Sequence, residues 1–556
     1  MPRAERRRPP TPGDPPRVIV IGAGIGGMAT GCYAQMSGMR TRIFEKHVLP
    51  GGCCTAWSRK GYLFDYCIDW LIGTAPGNDA NRVWRELGAL DGKTITNFDL
   101  FNRVVDEHGR AVTFYNDPDR LERHLLEISP ADAPLIRSFC RDLRRFAALD
   151  LHPFLKPPAL QSTGERLAVL RTLLPSFRLL WRTAATPLNA FADRFQDPLL
   201  RQAFRNILFQ DPDGFPLLPY LFSMAAARNL NAGFPQGGSL GLARSVEHRY
   251  TSLGGEISYR ARVERILVED GRAIGVELKN GERHYADHVV SACDGRTTIY
   301  RLLEGRYTGP RIDRLYQDLM HRPGTLFPAV VSVFLGIDGD LDDGRDPADP
   351  HCTTHLLPAE LAAELPGALQ RSLVVQQRSQ YSDGFAPPGK SVVHCTYFSD
   401  HDYWTTLRGR DRREYRAHKQ RAADAVRAFL ERRHPGLRER IDLIEVATPA
   451  TMERYTGNSH GSILAWKAFS GADDVVTKLI NRDRMRLPGL AGFSMAGHWA
   501  SLGGLIRAAS SGRFAVQYLC EELGLEFRAW ESDDQEPWHP GRLGHLPQLA
   551  RWSATA

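Results

Sequence analysis

The sequence predicts an α/β protein in which one discontinuous parallel-sheet domain is cut by two insertions that together form an α+β second domain. Three observations lead there. An apolar strand, Val18 to Ile21, runs into a glycine cluster and then a helix; Gly237 to Asp294 alternates glycine turns with strands; and Leu490 to Leu523 repeats the order strand, glycine turn, helix. At 556 residues the chain is too long for a single core.

Residues 1 to 16 place Arg3, Arg6, Arg7 and Arg8 among prolines with almost nothing to bury, and read as a disordered arm. Val18-Ile19-Val20-Ile21 is apolar at every position, as expected of a strand covered on both faces, and Arg40 to Phe44 is a second strand. A helix from about Ile25 to Ser37, ended by Gly38, must join them. Val18 to Met39 carries no charge, but its six glycines suit a strand and phosphate loop rather than a lipid-facing helix.

The first insertion, about 96 to 236, opens with a hairpin, Phe101 to Phe114, turning at His108-Gly109, and is otherwise helical. Gly237-Gly238-Ser239 starts a helix to Leu253; strands at Ile257 to Ile266, Gly275 to Lys279 and His284 to Ser291 follow, with hairpin turns at Asp270-Gly271 and Asn280-Gly281. The second insertion, about 306 to 445, combines strands Ala329 to Gly336 and Ser391 to Phe398 with a polar helix, Arg410 to Arg433. The expected division is therefore 17–95, 237–305 and 446–526 for the first domain, and 96–236 and 306–445 for a substrate or lid domain. The stretch 527–556, rich in Pro, Asp, Glu and Trp, is expected to be a loosely ordered tail.

A composition of 42% hydrophobic and 24% charged residues is that of an ordinary globular protein, and a net charge of +7 is too small for this length to indicate nucleic acid. The nine cysteines are odd in number and show no paired metal-ligand spacing, so no metal site and a reducing, cytoplasmic setting are expected.

Gly22-Ala23-Gly24-Ile25-Gly26-Gly27 fits GxGxxG between a strand and a helix. Gly22 permits the turn, Gly24 the approach of a pyrophosphate and Gly27 close helix packing, while the helix N-terminus faces the phosphates. Glu45, 18 residues past Gly27 at the end of the second strand, is the acid that accepts from adenosine ribose hydroxyls. This is a Rossmann-like dinucleotide site; these residues alone leave NAD and FAD both open.

Two further blocks carry a resemblance. Glu45-Lys46-His47-Val48-Leu49-Pro50-Gly51-Gly52, continuing to Gly61-Tyr62-Leu63-Phe64-Asp65, resembles the acid, double-glycine and G-[FY]-x-F-D pattern of the phytoene desaturase, carotenoid isomerase and retinol saturase family within the amine oxidase superfamily. Met495-Ala496-Gly497-His498-Trp499, Gly503-Gly504 and Ser511-Gly512-Arg513 resemble its C-terminal flavin signature. The resemblance implies a Rossmann-like FAD-binding domain of the amine oxidase type and non-covalent FAD held by Gly22, Gly24, Ile25, Gly26, Gly27, Glu45, Lys46, Gly51, Gly52, Val263, Gly497, His498, Gly504 and Leu505. In it the backbone at Val263 pairs with the adenine edge. A helix starting near Gly504-Leu505 aims its dipole at the flavin N1 and C2 carbonyl, where charge gathers when N5 takes a hydride.

The implied reaction is hydride transfer between flavin N5 and a carbon of an apolar isoprenoid or polyene: desaturation with oxygen or a quinone as acceptor, saturation with a donor, or isomerisation without net redox change. The alternatives are amine-oxidase-like oxidation of a polar natural product and lipid binding without redox chemistry, as in GDP-dissociation inhibitors.

Departures from the family pattern single out His498, where Asp or Gln is usual, and Ile506 and Arg507, where Pro and a small residue are usual. Arg507 either stabilises reduced flavin, holds a substrate carboxylate, or faces away to pair with a surface acid. Asp69 is a candidate proton-transferring group or, alternatively, a helix cap or ion-pair member; Trp70 beside it and His460 are further candidates for the active face. Cys53-Cys54 follows the double glycine and invites a dithiol reading, against which stands the strain of a vicinal disulfide. Residues 164 to 192, with Leu167, Leu170, Leu174, Phe177 and Trp181 interleaved with Arg166, Arg171, Arg178 and Arg182, form a basic amphipathic stretch broken at Pro175. That pattern serves either a lid or peripheral membrane contact.

Overall fold

The computed structural model describes residues 13–149, 155–207, 214–341, 351–467, 485–501, 503–534 and 536–544. Five strands form an all-parallel sheet in the order Glu256–Ser258, Arg40–Phe44, Arg17–Ile21, His288–Ser291, Phe493–Met495. The central strand explains its own composition. Val18 and Val20 face a core shared with helix Ile25–Met36, whereas Ile19 and Ile21 face a second core shared with the antiparallel strands Val263–Glu269, Arg272–Leu278 and Arg283–Tyr285. A strand dry on both faces has no polar position to offer.

Helices Ile25–Met36, Gly238–Ser252 and Leu505–Leu523 cover the first face. The outer two pack on the one between them, and the contact of Ile25–Met36 with Leu505–Leu523 is backbone-close. A Cβ on Gly512 would lie 2.5 Å from Gly26 O and 2.7 Å from Thr30 N, so no larger residue fits without separating the helices. The result is the α/β, Rossmann-like class expected, assembled from distant pieces of chain.

Both insertions contribute to one seven-stranded sheet, ordered Ile441–Ala447, Ala329–Asp338, Lys390–Ser399, Ser372–Gln377, Cys352–Leu356, Leu100–Val105, Ala111–Tyr115. They meet where Cys352–Leu356 pairs parallel with Leu100–Val105, Thr353 opposite Arg103 and His355 opposite Val105. One face of this sheet, through Val333, Leu335, Cys395 and Tyr397, packs on helix Arg412–Arg433; the other, through Val330, Phe334 and Phe398, turns toward the first domain. Helices of the first insertion have a core of their own around Phe139, Phe191, Phe204 and Tyr220.

The polar helix expected over Arg410 to Arg433 is present as Arg412–Arg433; a separate helix, His401–Arg410, precedes it, and Asp411 between them leaves helical geometry, its carboxylate accepting from the N–H of Arg413 (2.7 Å) and Glu414 (3.2 Å). Two expectations need correction. The second sheet continues to Ala447, past the boundary expected at 445. The tail is not loose in its described part: Trp538 is buried, its N–H donates to Gly92 O (2.9 Å), and its ring lies 2.2 Å from where a Cβ of Gly237 would be. Tryptophan in a polar stretch was the signal for docking. Residues 1–12 of the expected arm and 545–556 of the tail lie outside the described residues.

Candidate active site

The glycine loop and the double glycine build one cradle. Gly22 has φ +96° and Gly51 φ +103°, and Gly51 N–H donates to Ala23 O (2.8 Å). A Cβ on Gly27 would lie 2.0 Å from Gly22 O, and one on Gly26 would lie 2.7 Å from Gly497 Cα, so the loop, the first helix and the C-terminal signature touch through backbone. Helix Ile25–Met36 starts at Gly24 with no capping side chain and no acid in its first turn, an end electrostatically suited to phosphate. Glu45 closes the cradle: its carboxylate accepts from the N–H groups of Ala23 and His47, each at 2.7 Å, and burial raises its pKa. Lys46 donates from Nζ to Arg454 O (3.3 Å), with its pKa lowered by burial. Val263 begins its strand two residues beyond Ala261, whose N–H donates to Glu45 O (2.8 Å).

The remaining motif residues acquire physical roles. Asp65 is fully buried and accepts from Ser239 N–H (2.6 Å) and Ser239 Oγ (2.7 Å), thereby binding the start of helix Gly238–Ser252. Ser511 Oγ accepts from Gly497 N–H (2.7 Å), fixing the turn before His498. Arg513 forms a buried pair with Glu86 (3.0 Å), to which Tyr33 also donates (2.9 Å). Serine, glycine and arginine of that signature thus fix a turn, allow a helix crossing and neutralise a buried acid.

Helix Leu505–Leu523 begins at Gly504 (φ +121°), again without capping side chain or first-turn acid, and a Cβ at Gly504 would meet nothing within 4 Å. It opens on a cavity of about 1360 Å³ between the domains, larger than the roughly 300–1,000 Å³ usual for small-molecule pockets. Aromatic walls come from Trp70, Phe98, Phe101, Phe327, Phe398 and Trp466; Gly503 to Arg507 form the side toward the first domain. The donor set fits a dinucleotide with a flavin head: backbone glycines and a free helix end at one side, an acid at ribose distance along the chain, and a second open helix end over an apolar chamber.

Asp69 and Arg507 both line this cavity. Asp69 is an ion-pair member: Arg378, fully buried, donates to it from Nη2 (2.9 Å), and to Ile68 O from Nη1 (2.9 Å). Arg378 Nη2 also lies 3.0 Å from His394 Nδ1. Sequence reasoning missed Arg378 and His394, which sit at the end of one strand and the middle of another with no motif around them. Arg507 does not face the surface to meet an acid; it projects into the cavity.

His498 is not among the lining residues. It follows Gly497, which packs against Gly26 of the glycine loop, and burial holds its imidazole neutral with a pKa of about 4. His460 likewise stands outside the lining, its ring 5.2 Å from those of His321 and His401. Cys53 lines the cavity, with Asn458 Nδ2 donating to its sulfur (2.9 Å), and all nine cysteines are free thiols. Burial pushes Cys53 up to about 12, and the hydrogen bond with Cys54, together with burial, holds Cys67 well above the ordinary thiol value, so Cys53 stands as a thiol rather than a thiolate.

A glycine cradle, a buried acid and a second helix end thus converge on an apolar cavity, an arrangement that fits a cofactor-dependent oxidoreductase. Residues 25–520 match the family described as flavin containing amine oxidoreductase, and the chain belongs to that family, which implies a flavin cofactor. Relatives include prolycopene isomerase 2, chloroplastic, of an Oncidium hybrid cultivar, 25% identical over 80% of this chain and 74% of that protein. The all-trans-retinol 13,14-reductase of Danio rerio is 24% identical over 80% of this chain and 76% of that one. Among solved structures, cyclohexylamine oxidase from Brevibacterium oxydans shares the fold, with a TM-score of 0.56 at 13% identity, covering 92% of this chain and 100% of that one. No helix among the described residues is long and apolar enough to cross a membrane.

Proposed function

We propose that the protein is a non-covalent FAD enzyme that desaturates, saturates or isomerises carbon–carbon bonds of a long apolar, isoprenoid or polyene substrate. The observation that carries this reading is the apolar interdomain cavity into which the helix end at Gly504 opens. When bound, FAD supplies a hydride acceptor or donor at N5. The glycines at 22, 24, 26, 27, 51 and 52 hold the pyrophosphate, Glu45 the ribose, and Gly504 and Leu505 present the helix dipole to the flavin. Phe98, Phe101, Phe327, Phe398 and Trp466 exclude water and align an extended chain. The histidines, cysteines and tyrosine of these walls stay neutral: burial lowers His351 to about 3 and drives His394 well below the usual range, while Cys53, Cys352 and Tyr381 are pushed up. A wall whose thiols and phenol stay protonated suits hydrocarbon chemistry.

Substrate entry follows from helices Thr163–Leu173 and Phe177–Ala185. Val169, Leu170, Leu173 and Leu180 border the cavity, while Leu174, Phe177 and Trp181 are 65%, 57% and 65% exposed. With Arg171 and Arg178 exposed beside them, these residues form a surface for peripheral membrane contact, from which a lipophilic substrate passes into the chamber. Arg182 belongs instead to an ion pair with Asp142 (2.6 Å).

The test is the absorbance of the purified protein, native and denatured, followed by anaerobic photoreduction and reoxidation by oxygen or a quinone. Flavin bands that are released on denaturation and bleach on reduction are expected, and the faster oxidant identifies the electron acceptor. A protein that is colourless and cannot be reconstituted with FAD sinks the proposal.

A further inference from the structure

We infer that Arg507 recognises an anionic end group, foremost a carboxylate, on the apolar substrate; this narrows, and rests on, the lipophilic-substrate reading above. The argument is one of charge balance inside the cavity. Its other charged groups are accounted for. Asp69 pairs with Arg378 (2.9 Å) and Glu165 with Lys156 (2.9 Å), Arg166 is exposed and donates to Pro158 O (3.2 Å), and Asp79, in the first turn of its helix, has the cations Arg82 and Arg513 near it. Arg507 differs. Its side chain is exposed to the cavity, yet it lies deep enough that desolvation, with no acid opposing it, lowers its pKa. Among the described residues it makes no hydrogen bond or ion pair.

A guanidinium held away from bulk water without a partner is costly, and a planar carboxylate matches its fork of donors bidentately. Arg507 also stands in the first turn of helix Leu505–Leu523, just past Gly504, on the side of the cavity formed by the first domain. The aromatic walls then take the chain and the cation its end. A pure hydrocarbon would leave the charge uncompensated, as would an alcohol. The inferred substrate class is therefore an isoprenoid or polyene acid.

The experiment uses the full-length, FAD-loaded protein and two probes that differ only at the end group, all-trans-retinoic acid and all-trans-retinol. Affinity is read by equilibrium dialysis, without turnover. The acid should bind at least tenfold more tightly than the alcohol, and Arg507→Gln should erase the difference while Arg507→Lys keeps part of it. Should R507Q fail to fold, the same preference in the unmodified protein should weaken as pH is lowered far enough to protonate the bound acid. Equal binding of acid and alcohol, or a preference that survives R507Q, overturns the inference. A variant that shifts the flavin reduction potential but leaves acid preference intact assigns Arg507 to the flavin and also overturns it. If neither probe binds a protein that retains FAD, the lipophilic-substrate reading fails, and this inference with it.

Discussion

Glu45 ties the fold together at the point where the proposed function places the cofactor's ribose. Its carboxylate ties the glycine loop to the second strand through Ala23 and His47, and burial raises its pKa, so the ionised form is held by hydrogen bonds against desolvation. Buried histidines act in the opposite sense. His288, in the central sheet with Nε2 3.0 Å from Ser494 Oγ, is driven by burial to about 3. Because its folded pKa lies below the unfolded value of about 6.5, its contribution to stability is complete above pH 6.5 and is lost as pH falls from there toward 3. The loss is about 1.4 kcal/mol per pH unit. The unfolding free energy of His288→Gln, measured by urea denaturation at pH 7 and pH 5, should therefore fall less on acidification than that of the unmodified protein.

Among the elements, the basic amphipathic stretch carries two readings, a lid and, under the proposed function, a membrane contact. Thr163–Leu173 and Phe177–Ala185 border the cavity from one side and expose apolar residues on the other. The break between them, Leu174–Ser176, falls at Pro175, where a helical N–H is missing. Replacing Leu174, Phe177 and Trp181 together by serine should reduce co-sedimentation with anionic phospholipid vesicles at least tenfold and leave the thermal midpoint unchanged. These side chains are more than half exposed, and removing them takes little from the core. Unchanged sedimentation would return the stretch to a lid role alone.

For the whole molecule, the first domain is assembled from chain segments that meet only in the folded state, and its cradle and the helix ends at Gly24 and Gly504 gather free N–H groups, which under the proposed function a bound dinucleotide satisfies. Binding should accordingly raise stability by about 2.7 kcal/mol at a hundredfold excess over Kd. Calorimetry of flavin-free and reconstituted protein should show a rise of a few degrees, and no shift would mean that the cradle does not hold FAD. The sequence by itself determined the class of the first domain, because strand, glycine loop, helix and acid act locally: Val18–Ile21 needs two dry faces, and a Cβ on Gly27 would lie 2.0 Å from Gly22 O. The resemblance also marked Arg507, as a departure at a position where a small residue is usual. What only the tertiary structure decided depends on partners far apart in the chain: that Arg378 meets Asp69 and His394, that Asp65 binds Ser239, that Trp538 closes over Gly237, and that Arg507 turns into the cavity while His498 does not. Local patterns specify which way a strand alternates or where a helix starts; which buried charge finds a counter-charge is set by packing across three segments, and no spacing in the sequence records it.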